Sequence, residues 1–235
     1  MRGARRASFP IYRQIAPGAD MTTSLRDGLT FCRLDSRPVF LDIPADRYFC
    51  LSHEVEEVFS RACAGQPIAQ FERAMLARSG IIRRAAGPLV FRECARVPVT
   101  RSALDETSVP GSRLAVARLC ARFLHARSML QRRGLASTLA SMRRAKPASD
   151  HADPGEVAAV ADAYRRCAAI IGSHDRCLPY AIAVARSLYA AGAAVDFVIG
   201  IGMPPFRAHA WVQWRDVLVN ERIETAAHYT PIAVL

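Results

Sequence analysis

Cys177, His209 and Glu221 are of the types that thiol chemistry requires, and they fall in one stretch of chain. Asp175-Arg176-Cys177-Leu178 leads into an apolar helical run that Gly192 ends, which predicts Cys177 at a helix start. A thiol there faces the positive end of the helix dipole and unpaired N–H groups. Both favour thiolate, the nucleophilic form. His209 lies in a run over residues 206–214 that reads as a strand, Arg215-Asp216 reads as a hairpin turn, and residues 217–220 read as the returning strand. Folding across that turn brings Glu221 alongside His209. A histidine within hydrogen-bond reach would stabilise the thiolate and later protonate a leaving amine. Its ring needs a third group, carboxylate or amide, to hold it. Asn220, Asp196 and Asp216 compete with Glu221 for that role, although Asp216 reads more as a turn residue. On spacing alone, a helix cysteine is more often a small core residue, and a histidine beside Trp211 a structural one. The backbone N–H of Cys177 is a candidate oxyanion donor by helix-start geometry.

His53, His125, His151, His174 and His228 share no metal spacing with acids or cysteines, and the seven cysteines include no Cys-x-x-Cys pair. A zinc ribbon is therefore not expected, and thiol chemistry of this kind requires no cofactor.

A fold with its own core must position these residues. The 235 residues amount to one large domain or two small ones. With 51% hydrophobic and 23% charged residues, wholesale disorder is excluded. No uncharged apolar run reaches the length of a membrane span. The N-terminal Arg5-Arg6 pair looks briefly like a twin-arginine signal, but no apolar segment follows, so residues 1–20 read as an untargeted basic tail. Free thiols without an export signal point to the cytoplasm. The net charge is +11, and of 32 basic residues only Lys146 is lysine. Such a balance favours an acidic partner.

Residues 21–86 read as one module. Three short β-rich runs, over 29–34, 38–43 and 47–51, are separated by turn signals at Asp35-Ser36 and Pro44-Ala45-Asp46. Ser52 then stands at an N-cap position, and Val55, Val58 and Phe59 mark an amphipathic helix. A second helix over about 68–79 carries Phe71, Met75 and Leu76, with Gly80 as its stop. Residues 87–112, with Pro88, Pro98 and Pro110, read as a connector. Residues 113–235 form the second module. It opens with a helix over 113 to about 133, continues with a helix over 155–171 after Asp153-Pro154, and closes with the cysteine helix and β-meander. Between Gly111 and Lys146 stand eight arginines and no acid. This is a solvated basic face on a core-packed helix, or a dock for an acidic partner or membrane surface. The fold class is α+β.

Residues 176–231, with Arg176-Cys177-Leu178, Phe206-Arg207-Ala208-His209-Ala210-Trp211-Val212, Val219-Asn220-Glu221 and Tyr229-Thr230-Pro231, resemble the transglutaminase-like cysteine protease of lasso-peptide biosynthesis. The resemblance implies Cys177 as nucleophile and His209 as base. The acid that usually follows Val-Asn in that family is aspartate; here it is Glu221. The front module, through Val39-Phe40-Leu41-Asp42 and Arg47-Tyr48-Phe49-Cys50-Leu51, resembles the RiPP recognition element, a winged-helix-like module of three strands and helices. In that family a leader peptide adds as an extra strand to the sheet edge and packs against a helix, the physics of β-augmentation. The resemblance places leader contacts at Tyr48, Phe49, Cys50 and Leu51 on the edge, and at Phe71, Met75 and Arg78 in the groove. The apolar members of that set read more readily as core.

Together the two resemblances imply a fused recognition and protease protein. It would cleave the leader from a lasso-peptide precursor through a Cys177 thioester and hand a free core N-terminus to a partner cyclase of the asparagine-synthetase type. No nucleic acid and no membrane span are expected on this reading. Two alternatives stay open: a non-catalytic leader-peptide chaperone, and a basic winged-helix-like nucleic-acid-binding regulator. The second is opposed by Glu54, Glu56, Glu57 and Glu72 near the presumed reading helices. An amine in place of water would make the same thioester chemistry a transfer.

Overall fold

The computed structural model describes residues 24–83, 87–95, 97–105, 112–172 and 175–235. The tail expected over 1–20 lies outside them.

A three-stranded antiparallel sheet comes first: β1 (Leu29–Leu34), β2 (Arg37–Asp42) and β3 (Arg47–Cys50), in that spatial order. Asp35 and Ser36 both have positive φ, 48° and 71°, as a two-residue hairpin of matching twist demands. Buried Asp42 closes the second turn. It accepts from Arg26 at 2.5 Å, from Arg47 at 3.3 Å and from the Ala45 N–H at 3.2 Å, so its charge is paired where burial would otherwise be costly. Helices α1 (His53–Cys63) and α2 (Gln70–Arg78) follow. Ser52 occupies the N-cap position of α1 in extended backbone but makes no side-chain cap bond.

Both faces of this sheet are covered. Phe31, Phe40 and Phe49 point toward α1 and α2 and pack with Phe59 and Leu76; Phe31 meets Phe59 edge-on at 5.1 Å. Cys32, Leu34, Val39, Leu41 and Tyr48, on the other face, join the core of the rear module. Two-sided burial explains the unbroken apolar run Pro38-Val39-Phe40-Leu41 in β2 where a half-exposed strand would alternate. The outer edge of β1 is met by Cys94, whose N–H donates to the Phe31 carbonyl at 3.0 Å. Among the described residues no backbone hydrogen bond reaches the outer edge of β3.

The segment expected as a connector is held at residues 90–91 and again at 101–102. Ser24 N–H donates to the Val90 carbonyl at 2.7 Å, and Phe91 packs on Phe59 at 4.7 Å. Further on, β4 (Arg101–Ser102) pairs in parallel with β7 (Val217–Leu218). Proline breaks and a two-residue strand leave too little periodicity for the sequence to reveal it.

Helix α3 spans Arg113–Ala145 but breaks at Gly134, where φ is 71° and ψ 177°. The helix expected to end near Arg133 does break there, and a second helical segment follows. Arg113, Arg118, Arg127, Arg132, Arg133, Arg143 and Arg144 are exposed along it. Helix α4 (Pro154–Ile171) begins with Pro154 at its first position, and Glu156 reaches back to the Asp153 N–H at 3.3 Å. Helix α5 (Cys177–Ala190) is buried nearly all round, through Tyr180, Ile182, Val184 and Leu188. A helix apolar on every side belongs inside a layered core. It lies between α3 and α4 and a five-stranded sheet ordered β4-β7-β6-β5-β8, with β5 (Asp196–Gly202), β6 (Arg207–Trp214) and β8 (Thr230–Val234). Phe197, Ile199, Ala210 and Val212 line the face that joins this core. Short α6 (Ile223–Ala226) lies against the opposite face beside Val198, Trp211 and Leu218. The chain is thus a mixed α+β protein, and among the described residues no helix is long and apolar enough to cross a membrane.

Candidate thiol site

Cys177 is the first residue of α5, and the loop before it is braced. Arg176 donates to the Ile171 carbonyl, and Gly172 and Asp175 take positive φ, 87° and 54°. At a helix start the N–H groups of the first turn have no intrahelical acceptor. Pro179, in that first turn, has no N–H to satisfy. The Leu178 N–H is directed at the Cys177 sulfur, as is the Ala210 N–H from β6.

His209 stands near the start of β6, opposite Gly200 of β5. Its Nε2 donates to Glu221 Oε2 at 2.5 Å. A carboxylate only accepts, so this contact fixes the proton on Nε2 and leaves Nδ1 to the thiol. Glu221 follows β7 and is held from three sides. Its Oε1 accepts from the Arg222 N–H at 2.9 Å, Thr225 adds a side-chain bond, and its carbonyl accepts from the Ser102 hydroxyl at 2.7 Å.

The other residues considered for the third role are engaged elsewhere. Asn220 is buried and its Oδ1 accepts from the Val212 N–H at 2.7 Å, inside the hairpin. Asp196 pairs with Lys146 at 2.8 Å, and Asp216 accepts from Thr100.

The electrostatics follow from this geometry. Burial alone would raise the Cys177 thiol. The hydrogen bond and charge of His209, with the N–H groups of Ala210 and Leu178, outweigh burial and bring it below its ordinary range. Burial would lower His209, yet the contacts with Cys177 and Glu221 raise it to about 9. Burial would raise Glu221, but His209 and the Arg222 N–H pull it down. All three directions favour a thiolate–imidazolium pair beside an ionised carboxylate. That arrangement is a charged nucleophile with a proton donor at hand.

Two rings hold the imidazole. Tyr229 stacks on His209 at 4.9 Å and Trp211 at 6.1 Å. Gly200 makes room for both: a Cβ there would stand 2.6 Å from Trp211 Cζ3 and 3.0 Å from Tyr229 Cβ. We expect Gly200→Ala to cost about 1–3 kcal/mol by overpacking, read by denaturant unfolding, and to slow Cys177 alkylation by disturbing the imidazole. Unchanged stability and alkylation would show that the rings yield freely.

The residues expected to contact a leader are dispersed over the front module. Tyr48 is half-buried on the face toward the rear module. Phe49 stacks on Phe40 at 5.2 Å on the opposite face. Cys50 is exposed at the end of β3, and Leu51 is buried in the front core. On α2, Phe71 is 68% exposed, Met75 is half-buried against the front core, and Arg78 is exposed.

Sequence reasoning missed Ser102 and Thr225, which brace Glu221, and gave Tyr229 no role. A serine in an aperiodic segment carries no signal of a partner more than a hundred residues away. Among the described residues, no group of three or more His, Cys, Asp or Glu side chains is placed to hold a metal.

Residues 120–234 match the family model of the Transglutaminase-like superfamily, which comprises cysteine peptidases and transglutaminases. The match takes in Cys177, His209 and Glu221 and leaves the front module outside it. No curated protein and no solved structure matches the chain.

Proposed function

We propose that the transglutaminase-like domain over residues 120–234 is a cysteine peptidase that removes the leader from a lasso-peptide precursor, which the front module holds. The observation that supports this reading best is the chain of contacts Cys177–His209–Glu221, with the thiol held below its ordinary range and His209 raised to about 9. Both shifts favour a site that starts as thiolate and imidazolium.

The thiolate attacks the carbonyl carbon of the last leader residue. A C–S bond forms and the carbonyl oxygen takes the negative charge, toward which the Cys177 N–H is available at the helix start. Collapse breaks the C–N bond, His209 gives its proton to the departing nitrogen, and the core leaves with a free amine. The now neutral His209 takes a proton from water as the water oxygen attacks the thioester. The C–S bond breaks, the leader departs as a carboxylic acid that gives its proton to solvent, and the thiolate–imidazolium pair is restored. Glu221 keeps Nε2 protonated throughout, so Nδ1 is the nitrogen that exchanges protons.

The open edge of β3 supports leader binding by β-augmentation: it offers main-chain donors and acceptors for an added strand. Cys50, Phe71 and Arg78 are exposed and Phe49 and Met75 half-exposed, so each can touch a leader, whereas buried Leu51 would act through its backbone. An asparagine-synthetase-like cyclase would take the released amine and close the ring.

The test is incubation of the full chain with a precursor peptide encoded beside it, with and without the cyclase, read by mass spectrometry. The expected products are leader and core whose masses sum to the precursor plus one water. An intact precursor in the presence of the cyclase, with leader still bound, would overturn the peptidase reading and leave a leader-binding chaperone. A leader joined to an added amine would make the domain a transferase.

A further inference from the structure

Tyr48 belongs to the front module by sequence and to the thiol site by position. It is the second residue of β3, paired with Leu41, and its side chain leaves the sheet on the face that packs on the rear module. There its ring meets Phe206 at 5.1 Å, tilted by 59°. Phe206 stands three residues before His209, where the chain turns into β6. Burial pushes the Tyr48 phenol up to about 12, with the charges of Asp46 and Cys177 adding to the effect, so Tyr48 lies within electrostatic reach of the thiol.

The same turn exposes apolar surface. Met203 is 59% and Phe206 48% exposed, two large apolar side chains within four residues, next to the strand that carries His209. Single exposed apolar residues are ordinary on a protein surface. A half-buried tyrosine packed on an exposed aromatic ring, next to the strand that carries His209, is a wall for something apolar to lie against.

Resting on the peptidase reading above, we propose that Tyr48 and Phe206 form the wall of a substrate subsite at Cys177 that takes an apolar side chain flanking the scissile bond. The front module then supplies part of the reaction site as well as an edge for the leader. A substrate strand on β3 runs past Tyr48, so holding the leader and presenting the scissile bond are two ends of one surface. The arrangement also accounts for the packing of the front sheet onto the rear core through Val39, Leu41 and Tyr48. A recognition module that only tethered its peptide would need no such contact.

The test requires no natural substrate. The full chain is alkylated with iodoacetamide or with N-benzyl iodoacetamide, and the rate at each cysteine is read from its peptide by mass spectrometry, exposed Cys50 serving as the internal standard. In the wild type the benzyl reagent is expected to gain about five- to tenfold at Cys177 relative to Cys50, the scale of one aromatic contact. Tyr48→Ala and Phe206→Ala each erase most of that gain, and Tyr48→Phe keeps it. Phe206 lies on an exposed turn, so its variant tests the wall even where Tyr48→Ala fails to fold. A gain that survives both alanine variants overturns the subsite. The plain iodoacetamide rate tests the peptidase reading separately: a Cys177 no faster than Cys50 at neutral pH removes the activated thiol, whatever the benzyl gain does.

Discussion

Cys177→Ala lowers the rate of leader release by at least about 10⁴-fold, because the attacking atom itself is lost. Leader affinity and melting temperature stay near wild type. The side chain sits at the first position of α5, where alanine suits the helix and removes only a half-buried sulfur. The wild-type pH profile is expected to be a bell. Its acid limb reports Cys177, whose depressed pKa carries the thiolate below the range of an ordinary thiol. As pH falls through that value the nucleophile is protonated and the rate drops. Its alkaline limb reports His209 near pH 9: above it the imidazolium has lost the proton that the departing amine needs. Because the two groups titrate as a pair, the limbs are properties of the pair. His209→Ala removes the ion pair and leaves burial as the largest influence on the thiol. Iodoacetamide alkylation of Cys177 should then require a higher pH than in the wild type. Cleavage retained by Cys177→Ala would remove this thiol from the mechanism. An alkylation profile unmoved by His209→Ala would separate the histidine from the thiol.

The parts of this site legible in the sequence are those set by local pattern. A helix start after Asp175-Arg176 and a hairpin across Arg215-Asp216 are short-range events, and they suffice to bring Cys177, His209 and Glu221 into one neighbourhood. The strands of the front sheet were legible for the same reason, through their turn residues. What stayed hidden depends on contacts distant in sequence. Strand β8 returns to the far edge of β5 with a register shift between Ile199 and Gly200, and Tyr229 just before it reaches the His209 ring. Ser102 arrives from a segment that proline interrupts, in a strand of two residues. The second apolar face of the front sheet was visible as the run Pro38-Val39-Phe40-Leu41, but a run cannot name what covers it. Hence Tyr48, read from sequence only as an edge contact, lies between the two modules with its ring against Phe206.

Glu221 is where this chain departs from the aspartate expected after Val-Asn, and its geometry predicts an effect second only to that of Cys177. Both carboxylate oxygens are used as acceptors, Oε2 from His209 at 2.5 Å and Oε1 from the Arg222 N–H at 2.9 Å. Glutamine has one acceptor oxygen and one NH2, so Glu221→Gln must face a donor with a donor on one side. Either the ring or the turn loses its partner. The proton on Nε2 is no longer fixed, and the tautomer that presents Nδ1 to the thiol is depopulated. We expect kcat/KM to fall about 10⁴-fold, the scale seen when the orienting acid of a triad becomes an amide. The alkaline limb moves below pH 9, because a negative charge that raised His209 is gone. Glu221→Asp keeps the charge but shortens the reach, while Ser102 still anchors the backbone at 2.7 Å. A carboxylate drawn back from the ring should cost about 10- to 100-fold, the scale of a small misplacement in a preorganised site, with the alkaline limb less displaced than in the glutamine variant. A fully active Glu221→Gln would mean that stacking by Tyr229 and Trp211 alone orients the ring. A fully active Glu221→Asp would mean that the hairpin can advance the shorter acid by sliding the turn, which the Ser102 bond opposes. Combining Glu221→Asp with Ser102→Ala decides between those cases: freeing the backbone should restore part of the lost rate if the bond is what holds the shorter acid back.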